Sequence, residues 1–131
     1  MKVFNYVKEY AEQIGGQFTD YDQTRSVIVV PLNNRFQTVL AVKQKSPSSG
    51  KEKILFTSKV CGYSNGIDLK SLVEENAGFD FSHFIIDDGY LKIEASCHPA
   101  AATEEQVRDM VQEVAQLADY YELKLTGKDV F

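Results

Sequence analysis

Apolar residues recur along the chain with two periods, and the alternation between them predicts the elements. Val3, Phe4, Val7, Ala11 and Ile14 fall on one helical face. Gly15-Gly16 ends that helix, because glycine takes the left-handed conformation of a helix C-terminus at little cost. Ser26 to Val30 is β-branched and apolar on both faces, as an interior strand is. Asn33-Asn34 follows as a tight turn. A second strand runs from Phe36 to Lys45, with Phe36, Leu40 and Val42 on one face. Ser46-Pro47-Ser48-Ser49-Gly50 is a loop by composition, and Lys53 to Cys61 is a third strand with Ile54, Phe56 and Val60 at alternate positions. The pattern leaves open whether Phe18 to Tyr21 adds a short strand.

Asn65-Gly66 marks another turn, and Ile67 to Asn76 reads as a short helix with Leu69, Leu72 and Val73 turned inward and Gly78 beyond its end. Phe81 to Cys97 is a hairpin about Asp88-Gly89, a favoured two-residue turn pair. That turn sets Ile86 opposite Leu91, Phe84 opposite Ile93 and Ser82 opposite Ala95, with Cys97 on the same side. His83, Ile85, Asp87, Tyr90, Lys92 and Glu94 take the other side, so one face is apolar and one mostly polar. Thr103-Glu104-Glu105-Gln106 matches a capping box. It opens a helix whose stripe is Val107, Met110, Val111, Val114, Leu117, Ala118 and Tyr121, with Gly127 past its end. The expected fold is one α+β domain over residues 1–131: an antiparallel sheet covered on one face by helices, in the order α-β-β-β-α-β-β-α.

Composition adds bounds. The 131 residues fit one domain, and 44% apolar content suits a packed core rather than disorder. A net charge of −5 disfavours a nucleic-acid partner. Ordinary solubility accounts for the acidity; the sharper reading is an acidic face meeting a basic partner. Two cysteines, Cys61 and Cys97, are too few for a disulfide framework. No signal peptide or membrane span is legible, so cytoplasmic residence is the expectation.

Candidate chemistry is sparse. Cys97-His98 resembles a nucleophile beside its base, but strand neighbours point to opposite faces, and Cys97 reads as a small buried hydrophobe. Cys61, His83, Cys97 and His98 match no zinc spacing. His83 opposite Glu94 is an ordinary cross-strand polar pair that could also sense pH. Asp20-Tyr21-Asp22 and Asp87-Asp88-Gly89 do not continue into a calcium loop, and no phosphate-binding or hydrolase motif occurs. No cofactor is implied. Ile85 and Tyr90, close together on the solvent face of the hairpin, stand out; with His83 and Lys92 they form a candidate partner or dimer surface.

Three segments carry a resemblance: Ser71-Leu72-Val73-Glu74-Glu75-Asn76, the hairpin Phe84 to Ile93 about Asp88-Gly89, and Thr103 to Leu125 with Ala118-Asp119-Tyr120-Tyr121 near its end. In these, and in element order along the whole chain, the sequence resembles type III secretion chaperones and the YbjN family of bacterial sensory transduction regulators. Val73 stands where the family has a second Leu. The resemblance implies a one-sided antiparallel sheet, homodimers and recognition of partner protein segments. It carries no catalytic residues. The expected function is a non-enzymatic, chaperone-like or regulatory binding module. The alternatives are an acidic inhibitor or immunity-type protein neutralising a basic partner, and an enzyme with an unrecognised site.

Overall fold

The structure is a computed structural model and describes residues 2–127. Helix α1 (Lys2–Ile14) leads through Gly15, at φ 71°, into β1 (Gln17–Asp20). Gly16 lies against β2, and a Cβ there would collide with the Val29 carbonyl oxygen. Then come β2 (Arg25–Leu32), β3 (Arg35–Lys45) and β4 (Glu52–Gly62). Helix α2 (Leu69–Glu75) runs into a single 3₁₀ turn, Asn76–Gly78. The hairpin β5 (His83–Asp87) and β6 (Tyr90–Cys97) precedes the long α3 (Glu104–Thr126).

The six strands form one antiparallel sheet in the order β1-β2-β3-β4-β6-β5. Gln17–Asp20 therefore answers the question left at Phe18 to Tyr21: it is an edge strand, and four strands precede α2. The hairpin register is as expected, with Phe84 opposite Ile93 and Ile86 opposite Leu91 about a turn with φ 52° at Asp88 and 77° at Gly89.

Helices α1 and α3 pack on one face of the sheet, and the core lies between. Ile28, Val30, Val39, Ile54, Phe56, Val60, Leu91 and Ile93 are fully buried beneath Val3, Val7, Val107, Val111 and Val114. Tyr10 Oη donates to Gln112 Oε1 at 2.5 Å and ties α1 to α3. The capping box at Thr103 is complete: its hydroxyl accepts from Gln106 N–H while the Gln106 side chain accepts from Thr103 N–H. Gly127 closes the helix at φ 73°.

One expectation is corrected. Val73 does not turn inward; it is 63% exposed, because a seven-residue helix buries one narrow face and Leu72 fills it. Phe36, Leu40 and Val42 share a face as expected, and that face is the one away from the helices. The core side of β3 is Gln37, Val39 and Ala41, fixed by pairing Ile28 with Val39 and Val30 with Gln37.

A seam in the sheet explains the buried Gln37. The β3–β4 ladder ends at Leu40–Thr57, and β4 then bulges between Lys59 and Cys61. Beyond that point side chains replace the ladder. Gln37 Nε2 donates to Ser58 Oγ at 2.9 Å and to the Lys59 carbonyl at 3.0 Å, and Ser58 Oγ donates to the Thr38 carbonyl at 2.5 Å.

Candidate functional surface

The pleat sends alternate residues of every strand to the outer face, which among the described residues carries no helix. Registers place its side chains in rows. One row crosses all six strands: Thr19, Val27, Leu40, Thr57, Glu94 and His83. Beside it run Arg25, Val42, Leu55 and Ser96. On its other side lie Gln17, Val29 and Thr38, and then Lys59, Lys92 and Ile85. At the far end Pro31 meets Phe36, and Gly62, Tyr90 and Asp87 align.

The face therefore divides. Its β2–β4 part carries Val27, Val29, Phe36, Leu40, Val42 and Leu55, with Phe36 61% exposed. Its β4–β6–β5 part is charged. There His83 Nε2 lies 3.4 Å from Glu94 Oε2, and Lys92 Nζ donates to Asp87 Oδ2 at 2.8 Å. Lys59 and Lys92 stand directly opposite one another, a juxtaposition of like charges. Asp87 offsets Lys92, and the Lys59 ammonium lies 4.2 Å from the centre of the Tyr90 ring.

All four residues of the candidate surface, Ile85, Tyr90, His83 and Lys92, do lie together on this outer face. Ile85 and Tyr90 are half-buried rather than fully exposed, because Lys92 and Lys59 lie against them. The stronger apolar display is the β2–β4 part, which the alternation of β3 contained but did not assign to a face.

Other exposed apolar residues lie on α2, β5 and α3. Val73 on α2, Ile86 on β5 (47% exposed), and Tyr120 and Leu125 on α3 are all exposed. The ion pair of Glu75 with Lys124 joins α2 to α3 at 3.7 Å. Phe79 and Phe84 each meet Tyr121 edge to face and lie tilted against one another. Burial, and then a hydrogen bond to Glu75, push the Tyr121 hydroxyl far above the usual tyrosine range.

Other polar groups serve the fold. Glu113 on α3 accepts from Asp80 N–H, Phe81 N–H and the Ser82 hydroxyl at 2.6–2.9 Å, pinning the segment that enters β5. Burial works to raise its carboxyl, but these hydrogen bonds prevail and hold it below the usual range. Asp22 closes the β1–β2 turn, accepting from Thr24 and Arg25, and these bonds lower its carboxyl to about 2. Burial raises the Cys97 thiol to about 11, the opposite of an activated nucleophile. Cys61 pairs beside Leu91 and Cys97 beside Ile54, at opposite ends of β4 and β6. Among the described residues no group of three or more His, Cys, Asp and Glu side chains is placed to hold a metal ion. No helix among them is long and apolar enough to cross a membrane.

No family model matches the chain, and no curated protein matches it in sequence. Its fold does recur among solved structures. A chain of the heterodimeric ExoU–SpcU complex from the type III secretion system of Pseudomonas aeruginosa aligns with TM-score 0.64 and 11% identity, over 93% of this chain and 99% of that one. A chain of the HopA1–SchA chaperone–effector complex aligns with TM-score 0.59 and 9% identity, over 93% and 97%. YbjN from E. coli aligns with TM-score 0.51 and 17% identity, over 92% and 90%. The chain thus has the fold shared by these chaperone complexes and YbjN, as the segments in its second half suggested.

Proposed function

We propose that this chain is a non-enzymatic protein-binding module with a chaperone-like or regulatory role, working in the cytoplasm as a homodimer that holds an extended segment of a partner protein. The observation that carries this reading is the outer face of a six-stranded sheet, which no helix among the described residues covers, with contiguous apolar side chains from Val27 to Leu55 and the Ile85–Tyr90 pair at its other end. Antiparallel sheets often leave one face to solvent, so what supports the reading is the contiguity of the apolar side chains on it, with Phe36 well exposed. The likeness of fold to chains of a heterodimeric complex and a chaperone–effector complex supports the same reading. The β5 edge, an open strand that carries the exposed Ile86, suits a contact between two copies.

Charged replacements separate the two surfaces. Ile85→Glu with Tyr90→Glu, and independently Phe36→Asp with Thr38→Asp, are expected to weaken partner capture from host lysate while leaving the circular dichroism spectrum unchanged. Ile86→Lys with Leu125→Glu is expected to shift the sedimentation coefficient to that of a monomer. Undiminished capture by both outer-face variants would remove that face from the function.

A further inference from the structure

A cleft on the helix side of the sheet is separate from the outer face and does not depend on how that face is read. Phe18 and Asp20 of β1 pair with the buried Ile28 and Ser26, so their side chains lie on the side that α1 covers. Between α1, β1 and the turn after β1 lies an open space of about 780 Å³, the size of a small-ligand site. Its apolar lining is aromatic: Phe4 from α1, Phe18 from β1 and Tyr21 from the turn, the last 66% exposed. Among the described residues four charged side chains line it, and two of them are engaged elsewhere. Asp22 accepts from Thr24 and Arg25, and Lys43 Nζ lies 3.3 Å from Glu52 Oε1. Lys8 on α1 and Asp20 on β1 remain. Neither has an ion pair with the other or with any other described residue. One cation and one anion therefore stand unpaired on different walls of an aromatic cleft.

We propose that this cleft binds a small zwitterion with a planar apolar body. Its carboxylate meets Lys8, its ammonium meets Asp20, and its ring lies against Phe18 and Tyr21. A singly charged ligand would satisfy one wall and be repelled by the other, and a neutral one would leave both charges to water.

The test is a nuclear magnetic resonance titration of the isotopically labelled full chain. Two zwitterions of different charge separation, phenylalanine and glycyl-phenylalanine, are compared with phenylethylamine and phenylpropanoate, which keep the ring and one charge each. At least one zwitterion is expected to bind about fivefold more tightly than either singly charged compound at low salt. The shifted signals are expected at residues 4–8 and 18–23. Lys8→Gln should bring that zwitterion down to the affinity of phenylethylamine, and Asp20→Asn down to that of phenylpropanoate, with no change in Tm from either. Tyr21→Ser should weaken all four compounds. Equal binding of all four would overturn the proposal in favour of a slot for apolar rings. Binding of none at millimolar concentration, or shifts centred on Phe36, would overturn it outright. So would charge variants that lower all four affinities alike, since that is the mark of a structural effect.

Discussion

Asp22 shows how much one exposed carboxylate can organise. It holds the Thr24 and Arg25 N–H groups, the Thr24 hydroxyl and the Arg25 guanidinium. Its carboxyl, lowered from 3.8 to about 2, contributes stability that is fully present above about 3.8 and fades as pH falls toward 2. Denaturant titrations of wild type and Asp22→Asn should therefore differ at pH 6 and converge near pH 2; a constant difference would contradict the assignment. The ion pair of Arg35 with Asp119 is more enclosed, with three guanidinium hydrogen bonds at 2.7–3.2 Å and the Asp119 side chain 7% exposed. Asp119→Ala is expected to cost about 2 kcal/mol, below the range for fully buried pairs because Arg35 reaches solvent. Cys97 at about 11 should react with a thiol reagent at pH 8 far more slowly than a free cysteine. Rapid labelling of Cys97 in a Cys61→Ser variant would revive the nucleophile rejected on strand geometry.

Among elements, the seam between β3 and β4 is the most informative. Gln37 occupies a core position among Val30 and Val39 because the bulge frees backbone carbonyls there. Gln37→Leu keeps the volume but strands the Lys59 carbonyl, and is expected to cost about 1–3 kcal/mol with the loss in hydrogen-exchange protection confined to residues 58–61. A uniform loss would mean that the side chain serves general packing. The elements were unevenly legible for related reasons. The Asp88-Gly89 hairpin and the Thr103 cap each have a local chemical cause, so both were readable from a few residues. Strand β1 has one apolar residue in four and exists through its pairing with β2, which no local pattern encodes. In β3 both alternating sets contain apolar side chains. Which set faces the helices is decided by register with Ile28 and Val30, so Phe36 could not be assigned from its own strand.

At the scale of the whole molecule, apolar side chains from β2 to β4 and the mixed charges of β4, β6 and β5 share one sheet face. The positions of His83, Ile85, Tyr90 and Lys92 on that surface followed from a single turn, because a two-residue hairpin dictates the face of every residue in both strands. The larger β2–β4 patch was not legible, because it is assembled from three strands whose faces were known only separately. That asymmetry explains why the hairpin was singled out when the greater exposure is elsewhere.

The account's central claim is that a partner sits on the outer face, and site-specific photocrosslinking in the host cell tests it most directly. A benzophenone amino acid at position 36, on the outer face, is compared with one at position 105, on the solvent side of α3. The account predicts a discrete adduct of this chain with one other protein from position 36 and none from position 105. Adducts from position 105 with none from position 36 would contradict it.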